Sequence, residues 1–303
     1  MKEKKKSQPD SNLLGETEEI QKVIDVHPEK ESKLVQGILI GISVLFLFVM
    51  LVLPVITIIY NSLSKGFATY IEAITEENAV HALGISLLAM IIALAVNMVF
   101  GLCAAWVLSK FEFRGKGVLA TLIDIPFSIS PVVAGLAFIM MFGRIGWAKP
   151  ILDAINDTTG WDIKIVFAVP GVILATIFVT LPFVVREILP VLNSVGKEEE
   201  EGAALMGASG FTIFRKITIP HIKWPFLYGI ILCTARALGE FGAVSAVAKT
   251  RGKNFTLPLE INYLYFGSDT LTQAFAVSSI LVIIAVVILI IRNIVEAKAE
   301  KVR

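Results

Sequence analysis

Two charged residues lie inside an otherwise apolar part of the chain, and they are the first candidates for chemistry. Arg236 and Glu240 stand four residues apart in a run, 225–248, that is long and apolar enough to cross a membrane. Residues four apart share one face of a helix, so the two side chains can form an ion pair. A charge near the middle of a bilayer is costly unless it is paired or faces water, which makes both residues functional candidates.

The sequence leaves two interpretations of these residues open. In the first, the Arg236 guanidinium helps an anion across the membrane. In the second, the pair with Glu240 fixes helix packing or a gate, because a fully accessible arginine would hold an anion that a pathway must also release. Ser128 and Ser130 precede Pro131 in another apolar run. Their hydroxyls either donate to an anion's oxygens or only satisfy carbonyls that the proline leaves free.

Other kinds of site find little support in the sequence. The 303 residues include three widely spaced histidines and two cysteines, so a histidine-based metal site or nucleophilic triad is not expected. The chain has no Gly-x-x-x-x-Gly-Lys-Ser/Thr phosphate loop, and we therefore predict that it binds no ATP and no other cofactor. A net charge of +1 gives no general attraction to nucleic acid, so no nucleic-acid partner is expected.

The elements that must position these residues are membrane spans. Hydrophobic residues make up 55% of the chain, and the mean hydropathy is +0.77. Six runs reach the ~20 apolar residues that a bilayer requires. We predict an all-α transmembrane domain over 34–303, in contact with lipid, and a disordered cytoplasmic tail over 1–33. The predicted spans are 37–59, 83–108, 118–142, 165–185, 225–248 and 271–291.

The positions of the Lys and Arg residues predict how these spans are oriented. If the N-terminus lies in the cytoplasm, the inner segments hold nineteen Lys and Arg residues and the outer loops seven, with Arg236 inside a span. Cytoplasmic loops of membrane proteins carry an excess of these residues. We therefore predict that both termini, and the segment between the fourth and fifth spans, face the cytoplasm.

That segment reads EEEEGAALMGASGFTIFRKITIP, from Glu198 to Pro220. Its four acids favour a helix start, Gly207 offers a corner, and Pro220 is predicted to end a second short helix. Such a segment is either a surface connector between two spans or an element that docks into a partner's groove. The small residues Gly202 and Ala203 favour docking, because small side chains allow close packing against a partner.

The same segment resembles the cytoplasmic motif of ABC importer permeases, which reads Glu-Ala-Ala, three residues, Gly, nine residues, Ile-x-Leu-Pro. Every gap agrees, although Gly202 stands where the family usually has Ala and Ile219 where it usually has Leu. The resemblance implies that this coupling element, 198–220, inserts into a cleft of an ATP-hydrolysing subunit and transmits its closure. The residues implied in coupling are Glu200, Glu201, Gly202, Ala203, Gly207, Ile217 and Pro220.

Four further stretches resemble the sulfate/thiosulfate permeases of this group, and the W-type subunit more than the T-type. They are Asp124–Leu136, Thr180–Leu192, Ala235–Ala248 and Thr250–Tyr265. The resemblance implies the six-helix permease fold of type I ABC importers. It also implies a place in the cytoplasmic membrane of a bacterial-type cell and transport of sulfate or thiosulfate by alternating access. Arg236, Glu240, Ser128 and Ser130 are then the candidate residues of the translocation pathway or gate.

The resemblance also implies partner subunits. These are a second, homologous permease of the T-type, two ATPase subunits that bind ATP and Mg, and an extracytoplasmic sulfate-binding protein. The chain itself would then be a transport subunit without enzymatic activity.

Three alternative functions remain open at this point. The stretch Ala235–Ala248 also resembles molybdate permeases, so a molybdate or tungstate permease, more often a homodimer, is the nearest alternative. A secondary transporter driven by an ion gradient would need a relay of buried acids, for which only Glu240 and Asp124 are candidates. A membrane-embedded enzyme would need a nucleophile or a metal cluster, and the sequence contains no pattern for either.

Overall fold

A computed structural model describes residues 33–160 and 162–300. The described residues are largely helical and contain no strand, which confirms the predicted all-α class. The helices are α1 Lys33–Leu63, α2 Phe67–Thr75, α3 Glu77–Lys110, α4 Lys116–Ser128, α5 Pro131–Phe142, α6 Lys149–Thr159, α7 Val169–Val195, α8 Glu198–Leu205, α9 Gly210–Ile213, α10 Ile219–Leu238, α11 Gly242–Val247, α12 Leu257–Phe266 and α13 Leu271–Glu300. The predicted tail lies, apart from residue 33, outside the described residues.

The chain divides into two compact units between Ile56 and Thr57. The described part of the first unit consists of α1 residues, none of which is buried, and it includes a π-helical turn at Phe48–Val52. The second unit holds the remaining helices and the hydrophobic core. Its polar and charged candidate residues all belong to this second unit.

Among the residues that the structure describes, five helical stretches are long and apolar enough to span a membrane: α1, α3, α7, α13 and the stretch Gly210–Val247. Each of these helical stretches extends beyond the apolar run predicted from the sequence, at one end or at both. For example, α3 begins at Glu77 and α7 continues to Val195. Polar residues extend these helices because a helix does not need to stop where the apolar surface ends.

The third predicted span, 118–142, is not one straight helix. It consists of α4 and α5, whose axes differ in direction by 110°. A proline disfavours helical backbone in the residue before it, and Ser130, before Pro131, has φ −56° and ψ 130°. The proline then occupies the first turn of α5, where its missing N–H leaves no hydrogen bond unmade. The predicted span 118–142 is therefore broken at this proline, and within the described residues the number of spans reaches six if this bent pair crosses the membrane as one.

One part of the core of the second unit lies where α3, α7 and α10 approach closely. A Cβ atom on Gly101 of α3 would lie 2.7 Å from the Val184 Cβ of α7. A Cβ atom on Gly229 of α10 would lie 3.1 Å from the Val184 Cα. Small residues let membrane helices approach so that their backbones pack directly. Because α3 and α10 each place a glycine against Val184, α7 is the central helix of these three.

A second close approach joins α5 to α11. A Cβ atom on Gly135 would lie 2.4 Å from the Ala243 carbonyl oxygen and 2.8 Å from the Ala246 Cβ. A Cβ atom on Gly242 would likewise lie 2.9 Å from the Pro131 Cβ. The second half of the bent pair therefore packs against the short helix that follows α10.

Gly135→Ala is expected to destabilise the folded protein by at least about 1–3 kcal/mol, the usual cost of overpacking, because backbone atoms leave no room for the new methyl group. The measurement is thermal unfolding in detergent. Gly117→Ala in α4 is the matched control, because a Cβ there meets nothing within 4 Å. Equal unfolding midpoints for the two variants would contradict the close packing of α5 on α11.

Candidate functional site

The coupling element begins with a short, capped helix. All four acids, Glu198 to Glu201, lie in the first turn of α8, where the helix dipole favours negative charge. At the other end, Gly207 N–H donates to the Ala204 carbonyl (2.9 Å) and Ala208 N–H to the Ala203 carbonyl (3.0 Å). This is the Schellman arrangement, which needs a left-handed residue after the helix. Gly207 supplies it, with φ +85°, so the corner predicted at this glycine is present.

One face of α8 is tied to the long helices by a group that we call the Lys110–Glu200 cluster. The Lys110 Nζ lies 3.2 Å from Glu200 Oε1 and donates to the Gly196 carbonyl at 2.6 Å. The Thr218 hydroxyl donates to the same Glu200 oxygen at 2.7 Å. Nearby, His221 Nε2 lies 2.8 Å from Glu199 Oε2. The Glu200 side chain therefore faces Lys110 and Thr218 of this protein and not the surface of α8 that a partner could contact.

The other face of α8 and the start of α9 expose large apolar side chains. Leu205, Met206 and Phe211 are 91%, 84% and 74% exposed, and we call these three residues the exposed apolar face. Glu201 is exposed beside them, and a Cβ atom on Gly202 would meet nothing within 4 Å. The motif spacing did not identify Leu205 or Met206. The available signal was two large apolar residues in a helix that is otherwise acidic or small.

The second half of the coupling element differs from the prediction that Pro220 ends a helix. The backbone continues from α9 through a π-helical turn, Phe214–Thr218, into α10, and Pro220 lies in the first turn of α10. In this wider turn, the Ile219 N–H donates to the Phe214 carbonyl. The helix therefore continues past Pro220 without a break. The half-buried Ile217 lies in this turn, and the Phe214 ring packs edge-on against Trp106 of α3 at 5.8 Å.

Arg236 and Glu240 form the ion pair that their spacing allows. Their Nη2 and Oε2 atoms are 2.7 Å apart, although α10 ends at Leu238 and Glu240 lies in the break before α11. Glu240 is 2% exposed, and its Oε1 accepts the Ala243 N–H at 2.7 Å. The pair therefore joins the last turn of α10 to the start of α11. The Arg236 side chain, 31% exposed, remains partly accessible.

Ser128 and Ser130 lie at the bend between α4 and α5, and both are exposed. Ser130 occupies the N-cap position of α5 without a capping bond from its side chain. The contact of Pro131 with Gly242 brings this bend against the break between α10 and α11. Two helix breaks thus meet here, one with free hydroxyls and one with an ion pair. Broken helices in membrane proteins are tolerated where they are buried in protein or line a cavity, and such breaks can bind ions.

Asp124 and Arg186 form a second pair beside this bend. The Asp124 carboxylate accepts from Arg186 Nε at 2.8 Å, and the guanidinium lies 4.0 Å from the centre of the Phe127 ring. Both side chains are about half exposed. Asp124 therefore forms a structural pair that joins α4 to α7.

A further charged group, the Arg251 cluster, lies at the far end of α3 and was not identified from the sequence. Arg251 donates to the fully buried Glu260 (2.9 Å) and to Glu76 (2.9 Å), and its guanidinium lies over the Tyr263 ring. The hydrogen bond to Glu260 is the main reason why the pKa of Arg251 is raised. The α3 helix has 34 residues, so about 51 Å separates its two ends. The Lys110–Glu200 cluster and the Arg251 cluster therefore lie at opposite ends of one long helix.

The chain is similar to known membrane transport proteins along most of its length. Residues 97–301 match the family described as "Binding-protein-dependent transport system inner membrane component". The sulfate transport system permease protein CysW of Synechocystis sp. is 42% identical over 265 residues, which are 87% of this chain and 94% of that protein. The sulfate transport system permease protein CysT of Salmonella typhimurium (strain LT2) is 35% identical over 209 residues, 69% and 73% of the two chains. The predicted resemblance to the W-type group is thereby confirmed.

The fold also agrees with a solved transporter structure. A chain of a bacterial alginate ABC transporter, in complex with an alginate-bound periplasmic protein, superposes with a TM-score of 0.72. The alignment covers 87% of this chain and 94% of that chain at 17% sequence identity. At this identity the likeness concerns the fold alone, and it confirms the predicted permease architecture.

Proposed function

The chain belongs to the family of binding-protein-dependent transport system inner membrane components, and from this premise we propose that it is the membrane subunit of an ATP-driven sulfate importer. It is a multi-pass protein of the cytoplasmic membrane. The observation that carries the choice of substrate is the 42% identity, over 87% of this chain, to a protein named as a sulfate permease. Thiosulfate is included as a substrate because it has the same charge and a similar shape.

The site chemistry is compatible with a divalent oxyanion. Arg236 supplies a positive charge, while Ser128 and Ser130 supply hydroxyl donors at the meeting of the two helix breaks. Because Glu240 partly neutralises Arg236, the guanidinium would attract the anion without holding it so tightly that release becomes slow. We assign these residues to the translocation pathway or its gate, opened by alternating access.

The energy for transport comes from partner subunits in this proposal. Two ATPase subunits bind ATP and Mg, a T-type permease completes the membrane part, and an extracytoplasmic protein delivers sulfate. This chain binds no nucleotide, no other cofactor and no nucleic acid. The exposed apolar face of α8 and α9 contacts the ATPase, with Glu201, Gly202 and Ala203 beside it. The excess of Lys and Arg on that side supports a cytoplasmic location for the coupling element and both termini.

A secondary transporter fits the structure less well than an ATP-driven importer. Such a transporter would need acids that take up and release a coupling ion. Glu240 is held by Arg236 and by a backbone N–H, and Asp124 is held by Arg186. The two acids named as candidates are therefore already engaged in pairs.

Uptake of labelled sulfate by proteoliposomes that contain the complete complex is the direct test. We expect ATP-dependent uptake that unlabelled sulfate and thiosulfate inhibit and that trace molybdate leaves unchanged. The matched control is the same complex without ATP. Uptake that trace molybdate blocks and thiosulfate does not affect would identify a molybdate or tungstate permease instead. Uptake that needs no ATP and collapses with an ionophore would identify a secondary transporter.

A further inference from the structure

The Lys110–Glu200 cluster has a position that the coupling motif does not explain. The Lys110 side chain is 8% exposed and that of Glu200 20%, so the pair lies behind α8 and away from the exposed apolar face. Three segments of the chain meet in it: the last turn of α3, the turn at Gly196 that leads into α8, and the π-helical turn that carries Thr218. A partner that contacts Leu205 and Met206 does not need to touch this cluster.

We propose that Lys110 and Glu200 are positioning residues that transmit movement of the coupling element to α3, and that ATP hydrolysis is separated from transport when their contact is lost. The proposal rests on the proposed function, because it concerns how an ATPase bound at α8 would act on the membrane helices. It changes the role assigned to Glu200, which then acts within this chain instead of on the ATPase.

The contacts around the cluster favour α3 as the receiving helix. The buried ammonium holds two points of the coupling element at once, the Glu200 carboxylate and the Gly196 carbonyl. One turn earlier in α3, Trp106 packs against Phe214, so a polar and an aromatic contact join the same two elements. A charge-assisted hydrogen bond between partly buried groups is stronger and more directional than contact between neutral groups.

The helix that receives this contact reaches the opposite end of the second unit. There the residue before α3, Glu76, is held by Arg251, which also holds Glu260 of α12. When the end of α3 at Lys110 is displaced, the movement therefore reaches the contact of Glu76 with Arg251 and α12 along one helix, without an intervening loop. Rigid helices with fixed contacts at both ends are the kind of element through which coupling between distant sites can act.

The test measures ATP hydrolysed per sulfate imported by the complete complex in proteoliposomes. We expect Lys110→Met and Glu200→Gln each to raise this ratio by about tenfold, within the usual range of coupling between sites. ATPase binding is expected to stay unchanged, because neither residue lies on the exposed apolar face. The double variant is expected to be no worse than either single variant, since both remove the same contact. Lys110→Arg keeps the charge and is expected to restore most of the coupling.

Lys116→Met is the matched control. It breaks a neighbouring lysine–glutamate pair, Lys116 to Glu112 at 2.7 Å, in which the Glu112 side chain is 77% exposed. Exposed pairs of this kind contribute little, so the ratio is expected to stay unchanged.

Three outcomes would overturn the inference. The first is a ratio of ATP hydrolysed to sulfate imported that stays within about twofold of the unaltered complex in both single variants, which lies below the usual range of coupling between sites. The second is loss of assembly in Lys110→Met, Glu200→Gln and Lys110→Arg alike, which would mean that the pair serves folding. The third is a lower unfolding midpoint with an unchanged ratio, which is the result for a purely structural contact. Failure of the proposed function is distinguishable, because the unaltered complex would then show no ATP-dependent sulfate uptake.

Discussion

Leu205→Asp combined with Met206→Asp is expected to abolish ATP-driven uptake by weakening ATPase binding at least about thirtyfold, equivalent to about 2 kcal/mol. Both side chains are almost fully exposed in this chain, so the substitutions remove no packing within the permease. Large apolar residues that stand exposed in a polar segment are typical of interaction sites. Carboxylates at the centre of such an interface would be buried without partners.

The measurement is the affinity of purified permease for the ATPase subunit, together with the unfolding midpoint of the permease alone. Ser194→Asp is the matched control, because it adds the same charge on an exposed position at the end of α7, outside the exposed apolar face. We expect the unfolding midpoint of each variant to equal that of the unaltered protein. Unchanged affinity in the double variant would show that the ATPase binds elsewhere.

The structure also shows why Gly207→Trp would be a poorer probe of the same contact. A Cβ atom there meets nothing within 4 Å, but the backbone has φ +85°. Any other residue at this position would strain the helix end. Lost binding in Gly207→Trp could therefore come from a changed corner as well as from a blocked surface, whereas Leu205 and Met206 carry ordinary helical or turn backbone.

The helical class and the short helix Glu198–Leu205 could be predicted because both depend on local sequence. A run of about 20 apolar residues has few structural alternatives to a membrane helix. The corner at Gly207 was predictable for the same reason, since a glycine after a short helix is a common C-terminal cap. The role of this segment in coupling stays a prediction, and the motif spacing did not separate Glu200, which points inwards, from Glu201, which is exposed.

Helix ends and breaks were less predictable because they depend on tertiary contacts. Pro131 and Pro220 both lack the backbone N–H that a residue inside a helix donates. At Pro131 the chain turns by 110°, and α5 packs through Gly135 against Ala243. At Pro220 a π-helical turn lets the helix continue. A proline fixes its own φ and restricts its neighbour, but packing decides between a bend and a continuous helix.

The Arg251 cluster could not be predicted because its members are far apart in the chain. Glu76 lies 175 residues before Arg251, and nothing in its sequence surroundings marks it as a partner. Glu260 lies only nine residues away, yet an acid in the first turn of a helix is usually explained by the helix dipole. The register between α3 and α12, which brings these groups together, is set by side-chain packing.

Arg236→Ala is expected to abolish sulfate uptake, and Arg236→Lys to retain part of it. Removal of the guanidinium leaves Glu240 buried with one backbone N–H as its hydrogen-bond donor. Breaking a buried pair by removing one partner costs about 3–5 kcal/mol, so the single variant combines loss of the cation with loss of stability. Full uptake by Arg236→Ala at normal expression would reject any essential role for the arginine.

The double variant Arg236→Ala with Glu240→Gln separates these two effects. Glutamine keeps an oxygen that can accept the Ala243 N–H, so α11 remains capped, and no buried charge is left without a partner. We expect the double variant to recover the amount of assembled complex and its unfolding midpoint. We expect uptake to stay absent, because the proposed pathway has lost its positive charge.

Arg186→Ala is the matched control, since it removes another arginine from a pair whose two side chains are about half exposed. Its uptake is expected to stay close to that of the unaltered complex, because exposed pairs contribute less than about 1 kcal/mol. If the double variant instead transports sulfate normally, Arg236 serves only as the partner of Glu240. The anion would then cross the meeting of the two helix breaks with the hydroxyls of Ser128 and Ser130 and without a fixed cation.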